Sequence, residues 1–107
     1  MGTEKGVKLD DDKLRLDLVP PSLIIGVGEV LTFGAKKYTP NGWQHVPDAK
    51  QRYEAALMRH LMSYKAGEEL DFESGLSHLK HLLTNAAFLL WFEEKEKMEI
   101  ELEEITK

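Results

Sequence analysis

Two segments of helical period, joined by a short glycine-bearing hinge, constrain this chain more than any other feature. One, roughly Ala49 to Lys65, sets Tyr53, Ala56, Leu57, His60, Leu61 and Tyr64 along one side. The other, roughly Glu73 to Lys97, repeats Leu76, Leu79, Leu82, Leu83, Ala86, Leu90 and Trp91 at helical spacing. Gly67 suits the end of the first, and "EELDFES" connects them. So short a connection folds the helices back antiparallel, and residues equidistant from its centre, near position 69, face each other. His60 then falls opposite His78. His78, His81 and Asn85 share one helix face. The expected result is a convergence of His60, His78 and His81, with Asp71 and Glu73 at the helix entrance and Glu54 deeper, opposite Asn85.

A third helix precedes the pair. From Ser22 to Lys37 the apolar positions Leu23, Ile24, Val27, Val30, Leu31 and Phe33 fit a helical period after the "VPPS" stop, and prolines suit a first turn. Gly26, Gly28 and Gly34 weaken this helix or permit close packing. "YTPNGWQHVPD" reads as a loop, with Asp48 as the N-cap that follows it. Before residue 19, Leu14, Leu16 and Leu18 alternate with Arg15 and Asp17, which points to an extended segment. The reading is an all-α single domain over 1–107: an extended N-terminal arm (1–21), a helical core (22–97) and an acidic tail (98–107). Three helices with one short hinge leave apolar surface uncovered. A homo-oligomer, dimer or tetramer, that completes the bundle is expected.

The 107 residues lack cysteine, which excludes disulfides, thiol catalysis and cysteine-ligated zinc. The longest apolar stretch, "AAFLLWF", is too short to span a bilayer, and the first residues do not resemble a signal peptide. A cytoplasmic protein is expected. Of the net charge of −5, residues 93–107 supply four units, with seven acids against three lysines. The body is near neutral, which argues against duplex nucleic acid as a partner but not against a small phosphorylated ligand.

The three histidines and their acids are either a polar seam, satisfied by Tyr53, Tyr64, Ser77 and Asn85, or a functional site. Acids with some histidine suit Mg²⁺ or Mn²⁺ better than a closed structural zinc. Arg59 sits mid-helix beside His60 and shares a face with Arg52, and an arginine fork matches phosphate. Lys13 and Arg15 flank Leu14, and Lys36 and Lys37 close the first helix. "NGW" offers Asn41 for a purine edge and Trp43 for stacking, unless Trp43 caps the core.

"KLRLDLVPP", "LTFGAKKY", "NGW" and "RHLMSYKAGEELDFESGLSHLKHLLTNAAFLL" together resemble the phage-associated dATP/dGTP diphosphohydrolase family, in its N-terminal domain, from about Lys8 to Phe92. Members look like relatives of the all-α nucleoside triphosphate pyrophosphatases. The resemblance implies metal-dependent removal of pyrophosphate from purine deoxynucleoside triphosphates; in phages that replace adenine with 2-aminoadenine, such an enzyme supplies dGMP. For such chemistry the spacing offers Arg59, His60 and His78 as catalytic candidates, and Glu54, Glu69, Asp71, Glu73 and His81 as metal candidates. Lys13, Arg15, Lys37 and Arg52 go to substrate phosphate, Asn41 and Trp43 to the base. One departure stands out. The superfamily carries its ligands as ExxE and ExxD on successive helices; here Glu68 and Asp71 fit ExxD but lie in the hinge, and Glu54 lacks an acidic partner three residues on. Outside this class, the alternatives are a non-catalytic nucleotide-sensing or helical interaction module, and a phosphohydrolase that cleaves elsewhere.

Overall fold

The computed structural model of the chain describes residues 11–106. Three helices carry the fold: α1 (Pro21–Lys37), α2 (Ala49–Lys65) and α3 (His78–Thr106). Pro21 occupies the first position of α1, where its missing N–H costs nothing. Asp48 precedes α2 as expected, but with φ 54° and without a side-chain cap; its carbonyl accepts the Arg52 N–H instead. Gly67, at φ 91°, turns the chain out of α2.

Three expectations need correction. The alternating leucines form no strand: Leu16–Leu18 is a 3-10 turn, held by the Leu18 N–H to the Arg15 carbonyl and by the Arg15 guanidinium on Asp17. All three leucines are exposed, so no neighbouring surface rewards extension. The third helix begins at His78, not Glu73. Asp71 accepts the Ser74 N–H, Gly75 takes φ 73°, and Leu70 bridges Ser77, which together consume the segment as a closed loop. Finally, α3 continues through the acidic segment to Thr106 rather than fraying near Lys97. Pairs at helical spacing, such as Lys97 with Glu93 and Lys95 with Glu99, support those turns weakly.

α2 packs along α3, and α1 lies against α3. Toward the hinge the α2–α3 seam is imidazole. At the other end it is aromatic, with Tyr53 and Phe88 at 4.7 Å and Trp43, from a 3-10 turn at Gly42–His45, stacked on Phe88 at 4.3 Å. Of the three α1 glycines, Gly26 is the packing residue: it is buried, and a Cβ there would meet Lys80 Cγ at 3.0 Å. Lys80 in turn reaches Glu29 at 2.8 Å and ties α1 to α3.

Candidate functional site

The antiparallel register brings His60 Nδ1 to 2.8 Å from His78 Nδ1. His81 stacks on His60 at 4.5 Å, nearly parallel. The hinge supplies the rest. Glu68 accepts from His78 Nε2 at 3.1 Å, and Ser74 Oγ meets His81 Nε2 at 2.6 Å. Asp71 Oδ2 lies 3.7 Å from His81 Nε2. None of the seam partners expected from sequence bonds a ring. Tyr53 donates to the Trp43 carbonyl, Tyr64 is exposed, Ser77 accepts from the Lys80 N–H, and Asn85 donates to the His81 carbonyl.

Burial holds His60 below the usual histidine range, helped by the neighbouring His81, and burial does the same to His81. Burial pushes Asp71 up, but the Ser74 hydrogen bonds and the adjacent imidazoles outweigh it and leave the carboxyl below its ordinary value. Near neutral pH His60 and His81 are therefore uncharged and Asp71 is ionised, the state in which imidazole and carboxylate bind a cation.

His60, Asp71 and His78 each place one ligand-competent atom within 4.8 Å of the others. The set is chemically suited to a divalent ion. Of the expected ligands, only Asp71 belongs to it; Glu54, Glu69, Glu73 and His81 stand outside. Glu54 is exposed. Glu69 is exposed and engages His78 through its backbone carbonyl. Glu73 pairs with Lys37, closing the end of α1 onto the hinge. That pair also removes Lys37 from the free cations, as the Asp17 pair removes Arg15.

Beside the cluster opens a cleft of about 1010 Å³ between the C-terminal half of α1, the following loop, α2 and α3. Arg52 and Arg59 line it, and neither pairs with a carboxylate among the described residues. Lys36, which sequence reasoning left out, lines it too; the periodicity of α1 could not show which of two adjacent lysines turns inward. Lys13 and Lys37 are not among its lining residues. Asn41, at φ 60°, lines the cleft with its amide unbonded among the described residues. Trp43 lines it as well, but one indole face is committed to Phe88, so it is at least in part the core cap that the sequence left open.

Two guanidiniums without a carboxylate partner among the described residues line the cleft of a small all-α domain, and one of them, Arg59, stands one residue before the first member of the histidine–aspartate cluster on the same helix. The chain belongs to the dATP/dGTP diphosphohydrolase family: the model of that family's N-terminal domain matches residues 3–101. A dATP/dGTP diphosphohydrolase of Salmonella phage PMBT28 is 31% identical over 86 residues, which is 80% of this chain and 29% of the relative. The chain thus spans under a third of that protein's length. No solved structure matches. No helix among the described residues is long and apolar enough to cross a membrane.

Proposed function

We propose that this chain hydrolyses dATP and dGTP to the deoxynucleoside monophosphate and pyrophosphate, with a divalent metal as cofactor. The observation that carries the reading is the juxtaposition of Arg59, on the cleft, with His60 of the cation-competent cluster. A divalent ion held by His60, Asp71 and His78 would supply charge neutralisation and a more acidic water. Arg52 and Arg59 would grip the phosphate chain and stabilise the charge that grows as water attacks phosphorus and pyrophosphate leaves. His81, outside the cation group and held neutral by burial, is the ring in the state to accept that water's proton. Asn41 would meet the purine edge, and Trp43 would wall the base side. In a phage with modified purines the dGMP product would feed their synthesis.

A second copy of the chain would complete the bundle. The chain exposes 8733 Å², against about 6,000 Å² for a compact monomer of 12.2 kDa. Leu23, Ile24 and Leu31 lie exposed on α1. Light scattering at micromolar concentration is expected to exceed the monomer mass; a monomer with full activity removes this part.

One observation favours a different class. The relative is more than three times as long as the matched segment, which favours a nucleotide-binding module that does not itself turn over substrate. Incubation with each deoxynucleoside triphosphate and Mg²⁺ or Mn²⁺, with products resolved by chromatography, separates the readings. Monophosphate with pyrophosphate supports hydrolysis at the α-phosphorus. Tripolyphosphate or single phosphate moves the cleavage position. Saturable binding without turnover supports the module.

A further inference from the structure

We propose that His60, Asp71 and His78 bind a first-row transition-metal ion, of the class of Mn²⁺, Fe²⁺, Co²⁺ or Zn²⁺, in preference to Mg²⁺, and that Glu68 is the positioning residue for His78. The site needs only the protein and a metal ion, without nucleotide. It stands whether or not the chain hydrolyses nucleotides.

The donor set sets the preference. Two imidazoles with one carboxylate suit borderline ions, whereas Mg²⁺ favours oxygen donors and gives up its water reluctantly. The carboxylates that would make an oxygen-rich site are turned elsewhere: Glu73 to Lys37, and Glu68 to His78 Nε2.

The second observation is the direction of the hydrogen bonds. His78 is 4% exposed, and its Nε2 points at the Glu68 carboxylate. A carboxylate accepts only, so Nε2 carries the proton and Nδ1 presents a lone pair. That lone pair faces His60 Nδ1 at 2.8 Å, so His60 Nδ1 is the donor in the metal-free protein. For both Nδ1 atoms to hold one ion, the His60 proton would move to Nε2 as the neutral ring changes tautomer, and the two nitrogens, now 2.8 Å apart, would part slightly. Asp71 takes the Ser74 N–H on Oδ2 and feels the Ser74 side chain as well, while no further residue among those described hydrogen-bonds its carboxylate. Atoms about 2.1 Å from a shared ion lie at most about 4.2 Å apart. The present spread, up to 4.8 Å, exceeds that limit by about 0.6 Å, so ion binding would draw the widest pair together. A seam that merely joined two helices would have no need of a carboxylate behind His78 or of another in front of it.

The test is a Co²⁺ titration of the full, tag-free chain, read by visible absorption without nucleotide. Wild type is expected to bind one Co²⁺ per chain and to keep it in about a thousandfold excess of Mg²⁺. Asp71→Asn and His60→Asn should each weaken binding at least about a hundredfold with helicity intact; both positions are only half-buried, so they decide the matter if His78→Ala fails to fold. Glu68→Gln should weaken binding about 10–100-fold while the ligand-field bands keep their positions. Glu54→Gln should match wild type. Absence of bands, bands indifferent to Asp71→Asn and His60→Asn, or displacement by equimolar Mg²⁺ would overturn the site. A Glu68→Gln protein as tight as wild type overturns the positioning role.

Discussion

Trp43 offers the sharpest test of the packing. Its ring centroid lies 4.3 Å from Phe88, 5.0 Å from Trp91 and 6.2 Å from Phe92. Truncating such a ring to Ala costs about 3–5 kcal/mol, the aromatic pairs adding to lost burial. A domain of this size has about 5–15 kcal/mol in total, so the loss is a large share. At about 4–8 °C per kcal/mol, Trp43→Ala should lower Tm by about 12–40 °C. Trp43→Phe keeps a ring against Phe88 and should cost about 1–2 kcal/mol, hence about 4–16 °C. Circular dichroism melts at 222 nm measure both. Nucleotide affinity is then compared well below the Trp43→Phe transition. If Trp43 mainly walls the cleft, Trp43→Phe binds dATP and dGTP within a few-fold of wild type. A Trp43→Ala protein that melts within a few degrees of wild type would refute the reasoning, because the aromatic cluster would then hold nothing.

Arg59→Lys keeps the charge and loses the fork; turnover should fall roughly a hundredfold, about 3 kcal/mol of transition-state stabilisation, with Tm unchanged, and wild-type turnover would remove Arg59 from the site. His60 and His81 titrate below the unfolded value of about 6.5, so their contribution is complete above that pH and is lost as pH falls through it; melts between about pH 7.5 and pH 5.5 should show Tm dropping, and a rise would contradict the buried seam. Asp71 acts in the same sense at lower pH, below about 3.9. Gly28→Ala, where a Cβ meets open space, should raise Tm by about 2–8 °C from helix propensity, while Gly26→Ala should not, because its Cβ presses on Lys80; equal gains at both would disprove the close approach.

The register of the site was legible in the sequence because helical period and hinge length are local properties. Counting outward from position 69 paired His60 with His78, and the rings meet there. The bounds of α1 and α2 followed equally from proline, glycine and apolar spacing. What spacing could not show was whatever depended on distant partners. The Glu73 carboxylate pairs with Lys37, 36 residues away, a partner invisible to spacing. Glu68 lies in the hinge, outside any helical period, yet the loop folds back and brings it to His78. The leucines at 14, 16 and 18 alternate like a strand, but a strand needs a neighbour, and no periodicity shows whether one exists. The Asp71–Gly75 turn takes the first five residues expected of α3, and its Asp, Ser and Gly in close order are a turn signature.

The contacts of the three helices differ in how far along the chain they reach. His60 and His78 are 18 residues apart, across a loop that tightens on itself through Asp71 and Ser74. The ion pairs that hold α1 span 36 residues for Lys37–Glu73 and 51 for Lys80–Glu29, and both are solvent-exposed. Loop closure over short separations is fast and entropically mild, so the α2–α3 hairpin can nucleate on its own, and α1 docks onto it afterwards. The same asymmetry orders the reverse process: α1 is the helix that lets go first, and amide hydrogen exchange should find its protection below that of the hairpin. One wall of the cleft is α1, so the cavity is assembled last in folding and opened first in fluctuation.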